Sequence, residues 1–318
     1  MPRHAHYVPH GVIPAVILPF FEDLDIDEKG FRKHLQDVAA VEGISAVTVN
    51  AHSTEVASCS FDEQRRVLAI AQDEIGQKLP IVNGIWADGS LEAARIARMA
   101  EQGGASALLV FPPAPFTLGQ SPAMAVEHFR RIADATSLPL VAFQYPLATG
   151  QGYPRETLLR LCEEVPTVRA IKDWSGNVAQ HEMHVRELQG RTPAVNVLST
   201  HSAWLLSSLV LGCNGLLSGS GSVIADLQSA LFQAVRANDL AAARRLNDRI
   251  YPLARVFYSD PWADMHNRMK EALVLLGRLP RAVVRPPLVK LSRAEVDRIR
   301  TALLEAGLLP QKTARDAA

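Results

Sequence analysis

Cysteine is scarce in this chain: Cys59, Cys162 and Cys213 are the only three, far apart and without CxxC spacing. An odd, scattered set does not make a disulfide scaffold, and it fits a reducing, cytoplasmic setting. Neither sign of charge prevails, because 33 Lys and Arg face 33 Asp and Glu. Long-range attraction to nucleic acid or to an anionic membrane is therefore not expected. No apolar run approaches the ~18 residues of a membrane span. The first ten residues lack the apolar core of a secretory signal, so none is expected there. His4, His6 and His10 in that stretch read as a tail rather than as metal ligands. Also missing is a Gly-rich turn after the first apolar run. Pro19-Phe20-Phe21-Glu22 stands there instead, which disfavours an open doubly wound dinucleotide fold.

What is present is a repeat. Short apolar, β-branched runs begin near Val12, Ala46, Ile81, Ala107, Leu140, Val168, Val195 and Asn214, and helical patterns separate them. Eight strand-plus-helix units are the count of a closed parallel barrel, so an α/β fold of the (β/α)8 TIM-barrel type is expected. Ala93, Ile96, Ala97 and Ala100 share one face of a helix that starts near Ser90 and stops at Gly103-Gly104. Leu79-Pro80 and Leu138-Pro139 put proline at strand entrances, where no ladder donor is lost. Past Phe232 the strand pattern ends, and helices are expected over Asp239–Arg255, Met265–Leu276 and Ser292–Leu308. The organisation predicted is a catalytic barrel over 11–232 and a helical appendage over 233–318, packed on the barrel and not a second catalytic unit.

In such barrels chemistry sits at the C-terminal ends of the strands. There the sequence places Asn50-Ala-His-Ser-Thr-Glu55, Phe143-Gln-Tyr-Pro146, Lys172-Asp-Trp-Ser175 and Ser218-Gly-Ser-Gly221. Lys172 ends an apolar strand, so its amine should be partly withdrawn from water. Burial disfavours the ammonium and exposes a neutral amine that attacks ketones, giving an iminium that acts as an electron sink. The competing reading is a lysine that snorkels to solvent or pairs with Asp173.

Taken together and in order, these segments resemble the dihydrodipicolinate synthase / N-acetylneuraminate lyase family of class I aldolases. Pro19-Phe20 is similar to that family's Thr-Pro-Phe. Ala51-His-Ser-Thr-Glu55 occupies the place of Gly-Thr-Thr-Gly-Glu. Ala170-Ile-Lys172-Asp resembles the segment whose lysine forms the Schiff base. Leu211-Gly-Cys-Asn-Gly215 and the run from Pro286 to Ser292 also fit, so the likeness spans roughly 11 to 309. It implies a small 2-oxo acid substrate such as pyruvate, no cofactor beyond the imine on Lys172, no metal, and a homotetramer built as a dimer of dimers.

The resemblance also implies site residues. Ser53 and Thr54, through hydroxyl or backbone N–H, would hold the substrate carboxylate. Ser53 would fill the hydroxyl place of the family's proton relay, with His52 either a rim contact or a bystander. Gly219 and Ser220 would lie beside the substrate, as a cradle or as a turn. The family's strand-five tyrosine is replaced by Phe143, and Tyr145, two residues on and on the same strand face, is the available phenol. Tyr145 could equally be wall packing with its hydroxyl on a backbone carbonyl. The synthases' arginine after the proline is Ala148 here, and no tyrosine precedes Gly119 in the segment after strand four. Trp86, Phe111, Phe116, Phe143 and Trp174 all belong to rim segments, which suggests an unusually apolar pocket. Arg155 or His201 could supply a replacement cation. His181 and His184 lack HExxH spacing and are expected on a solvent-facing helix, not as metal ligands. The function expected is a Schiff-base lyase, aldolase or dehydratase that is not an efficient dihydrodipicolinate synthase. The alternatives are a 2-oxo-acid-binding sensor barrel or a purely structural one.

Overall fold

A computed structural model describes residues 4, 6–200 and 202–310. Eight parallel strands, β1 (Gly11–Pro14), β2 (Val47–Val49), β3 (Ile81–Ile85), β4 (Ala107–Val110), β5 (Leu140–Gln144), β6 (Val168–Asp173), β7 (Asn196–Ser199) and β8 (Gly215–Ser218), pair in chain order. β1 pairs with β8, and the bridges Val12–Ile44 and Ala15–Thr48 join the β1 and β2 segments, closing the circle. The chain is a (β/α)8 TIM barrel with helices after its last unit. Every expected strand starts within one residue of its place. Pro80 and Pro139 sit at the strand entrances, and their carbonyls accept from Val47 and Leu108 of the neighbouring strands.

Strand parity divides the apolar side chains into two layers. Ile13, Val82, Leu109, Val141, Ala170, Leu198 and Leu217 fill the interior, while Val12, Ile81, Leu108, Leu140, Val168, Val197 and Leu216 meet the helices. The helices are α1 (Glu28–Ala39), α2 (Phe61–Glu74), α3 (Ser90–Gln102), α4 (Pro122–Ala133), α5 (Arg155–Glu164), α6 (Val178–Gln189), α7 (Leu205–Val210) and α8 (Gly221–Arg236). Asp27 and Ser60 cap α1 and α2, the latter reciprocally with Glu63.

Three more helices follow: α9 (Leu240–Phe257), α10 (Met265–Leu275) and α11 (Arg293–Glu305). α8 itself runs through position 232, so the expected boundary falls inside a helix. α10 is unlike a surface helix, because His266, Asn267, Arg268, Lys270 and Glu271 are all buried. Buried ionic groups need partners, and Arg268 and Lys270 have them. Arg268 donates to the carbonyls of Phe257, Ser259, Asp260 and Pro261, and to Glu295. Lys270 pairs with Glu55 and donates to the Val283 carbonyl at 2.7 Å. α10 is thereby fastened across the open end of the barrel. Among the described residues, no helix is long and apolar enough to cross a membrane.

Candidate active site

Lys172 shares strand parity with Ala170, so it points into the barrel, and Asp173 therefore points out towards α6. Only 5% of Lys172 is exposed, and its ammonium lies 4.0 Å from the centre of the Phe143 ring. Burial lowers its pKa to about 7, so near neutral pH about half the amine is free. It does not snorkel, nor does it pair with Asp173. The Asp173 carboxylate accepts from Nδ1 of both His181 and His184 at 2.8 Å and from the Ser175 N–H. Burial alone would raise this carboxyl. The two imidazoles outweigh it and hold the group well below the usual carboxylate range. The expectation that His181 and His184 face solvent is thus corrected: both are 1% exposed. A helix that looks polar by composition turns these two residues inward because a buried carboxylate awaits them.

Lys172 opens onto a small cavity that is also lined by His52, Ser53, Phe143, Trp174 and Gly219. Thr200, Tyr258, Met265 and His266 complete most of its wall. The β2 loop enters by a sharp turn, with Asn50 and Glu55 both at φ 52° and the short 3-10 turn His52–Thr54 between them. Gly84 makes room for it, since a Cβ there would come within 1.8 Å of the Asn50 carbonyl oxygen.

Within this loop Ser53 Oγ is buried and has no hydrogen-bond partner among the described residues. A hydroxyl left so costs about 1–3 kcal/mol, which is reasonable in a site whose ligand supplies the partner. Thr54 is different. Its hydroxyl is engaged by Ala51 N–H and C=O, and its own N–H by the Ala51 carbonyl. Thr54 shapes the turn and does not offer these groups to a carboxylate.

At the far wall, Gly219 lies against His266, where a Cβ would sit 2.7 Å from Nε2. Ser220 is not beside the substrate space. Its hydroxyl lies 2.9 Å from Ser218 Oγ and accepts from Gln228 at 2.8 Å. The Ser222 and Val223 N–H groups are spent on Gly219 and Ser220 carbonyls. This is a turn rather than an anion cradle.

Tyr145 and Phe143 do share a face, with ring centres 4.5 Å apart. The Tyr145 hydroxyl is 2.9 Å from His52 Nε2, so it bonds an imidazole rather than a backbone carbonyl. Burial raises the phenol's pKa. His52 is ringed by Trp86, Phe111 and Phe143 at 4.8–5.8 Å. Burial there, with the Lys172 charge as a second cause, lowers its pKa to about 3. Among the described residues Tyr145 does not line the cavity, whereas His52 does.

Trp174 extends the aromatic wall to Trp262 at 5.2 Å. Phe116 departs from the expected rim cluster and packs in the helix layer beside His128. Arg155 supplies no cation to the site, because its guanidinium makes a two-pronged pair with Glu187. His201 lies outside the described residues. His266, Met265 and Tyr258 had not been anticipated, since the appendage reads locally as a solvated helical region.

The Dihydrodipicolinate synthetase family model matches residues 8–306. The chain belongs to that family. A 4-hydroxy-tetrahydrodipicolinate synthase of Nitratidesulfovibrio vulgaris (strain DP4) is 30% identical over 301 residues, covering 94% of this chain and 99% of its own. The putative 2-dehydro-3-deoxy-D-gluconate aldolase YagE of Escherichia coli K12 is 25% identical over 308 residues, covering 97% and 100%. The crystal structure of YagE in complex with pyruvate superposes with a TM-score of 0.87 at 24% identity, covering 94% of this chain and 99% of that one. The chain is accordingly an enzyme of the class I aldolase and lyase type.

Proposed function

We propose that this enzyme makes or breaks a bond of a small 2-oxo acid through an imine on Lys172. The observation that carries it is a single buried amine, half neutral at pH 7, facing a small cavity beside an unpartnered serine hydroxyl. The amine adds to the ketone of pyruvate or a pyruvate-derived aldol, water leaves, and the iminium accepts electrons from the neighbouring bond as it breaks. Ser53 Oγ donates to the substrate carboxylate. Neither a metal nor an organic cofactor is required, as the iminium supplies the electron sink.

Pyruvate with borohydride is expected to add a reduced pyruvyl group irreversibly to Lys172. The trapping rate should rise between about pH 6 and 8 and level off well below the ~10.4 of an ordinary lysine. An unmodified Lys172 in folded protein, with several 2-oxo acids tried, overturns the proposal.

The partner aldehyde is uncharged in this reading. Among the described residues lining the cavity, Lys172 is the one cation, and the outer wall is aromatic. With Ala148 exposed and Arg155 paired with Glu187, no cation among the described residues is placed to grip a second carboxylate. Loss of one charge-assisted contact costs on the order of 2–4 kcal/mol, or about 30- to 1,000-fold in rate. The specificity constant with pyruvate and aspartate semialdehyde is therefore expected below ~10⁴ M⁻¹s⁻¹; a higher value refutes this part. The dimer-of-dimers homotetramer belongs to the same proposal, and Leu118 and Leu147, both exposed on rim turns after β4 and β5, offer apolar surface for it. A stable monomer by light scattering at micromolar concentration counts against it.

A further inference from the structure

We propose that His52 is the proton-transfer group of this enzyme and that Tyr145 positions it. The inference rests on the Lys172 imine proposed above. An imine of pyruvate is useful only once a proton leaves its methyl carbon, and some group facing the cavity must take that proton. Tyr145 is the phenol nearest the expected place, yet His52 stands between it and the cavity, in hydrogen-bond contact with its hydroxyl. Of the other polar groups lining the space, Ser53 is committed to the carboxylate, and a serine hydroxyl is a poor base. Thr200 lies just past β7, its N–H on the Asp173 carbonyl. His266 is pressed against Gly219 on the opposite wall, so it faces the same space but not the Tyr145 contact. Among the described residues that line the cavity, His52 is the imidazole whose ring a second side chain orients, which is the arrangement that fixes a tautomer.

With Nε2–H donated to the Tyr145 oxygen, Nδ1 keeps its lone pair for the substrate. The C3–H bond of the iminium breaks, its electron pair becomes the C2=C3 bond, and the C2=N electrons return to the Lys172 nitrogen. The proton goes to Nδ1 of His52. Positive charge moves from the iminium to the imidazolium, so the cavity's total charge does not change. Burial keeps the free ring weakly basic, and the smaller part of that weakness, which a charged Lys172 imposes, is removed as the lysine nitrogen becomes neutral. In the return direction the imidazolium gives the proton back to the enamine carbon.

The test needs no knowledge of the natural aldol. Pyruvate is incubated with the whole protein in D2O, and loss of its methyl signal is followed by proton NMR, while borohydride trapping is run in parallel. H52F and H52Q should still trap pyruvate on Lys172, yet exchange methyl protons at least ~100-fold more slowly, within the usual range for losing a general base. Y145F should trap normally and exchange about tenfold more slowly, with the pH dependence of exchange moved because the ring is no longer held. The inference is overturned if both His52 variants exchange at the wild-type rate. It is also overturned if Y145F loses more than they do, which makes the phenol the base, or if they cease to trap, which makes His52 part of imine formation or of folding. A wild-type protein that does not trap pyruvate overturns the Lys172 reading itself and is recognised separately by that result.

Discussion

Ser53 is the residue at which stability and function are most clearly opposed. Its buried hydroxyl has no hydrogen-bond partner among the described residues, so the folded enzyme carries a desolvation cost that, on the proposal above, bound substrate would remove. S53A is expected to raise the unfolding free energy by about 1–2 kcal/mol while raising the KM for pyruvate about tenfold, a factor worth ~1.4 kcal/mol. Denaturant titration and steady-state kinetics check the pair, and a variant that is both less stable and equally tight in binding sinks the assignment. Residues of this kind were legible in part. Lys172 and Phe143 could be placed because strand parity decides what enters a barrel, whereas Ser53 could be placed only on the loop that follows β2. Thr54 and Ser220 could not, since a hydroxyl that closes its own turn and one that greets a ligand look alike in sequence. His52 lay between: its position was visible, but its partner is 93 residues away.

At the scale of elements, the same argument explains what periodicity could and could not reveal. The eight strands were legible because a barrel wall buried on both faces demands unbroken apolar runs. The helix α10 was legible in extent, but the burial of its polar run was not. Within His266-Asn-Arg-Met-Lys270-Glu, Arg268 is satisfied by backbone carbonyls and Glu295, and Lys270 by Glu55 and the Val283 carbonyl. Lys270 is the clearest case, joining α10 to the β2 loop through Glu55, whose other oxygen accepts from the Arg285 N–H at 2.9 Å. Removing one member of a buried pair leaves the other charge uncompensated, so K270M should cost about 3–5 kcal/mol. The paired change E55M/K270M should recover much of that. Chemical denaturation of the three proteins decides; a K270M loss under about 1 kcal/mol would mean the pair is solvated.

The molecule as a whole should be sensitive to mild acid. Burial lowers the pKa of His34 and His128 to about 4 and that of His52 to about 3. These rings are neutral in the folded chain at neutral pH, whereas in the unfolded chain they titrate near ~6.5. Above that value they add no pH dependence. Below it the unfolded chain takes up protons that the folded chain refuses, and stability falls by about 1.4 kcal/mol per pH unit for each ring. The loss continues down to the folded values, so the denaturation midpoint should drop steeply between about pH 6.5 and 4. H128Q should flatten the slope by one ring's share; a midpoint unchanged from pH 6.5 to 4.5 contradicts this.

The position of α10 has a further consequence, in the order of events at birth. A chain is made from its N-terminus, and domains take shape as they emerge. Lys172 and all eight strands are complete by Ser218, but Met265 and His266, which help close the cavity around the amine, come later. Until they arrive, that wall of the cavity should be open to water and the amine should be closer to an ordinary, protonated lysine. If Lys172 is the reactive group proposed above, the nascent protein would carry it with the safety catch on, and the catch would be released by a helix made after the whole barrel.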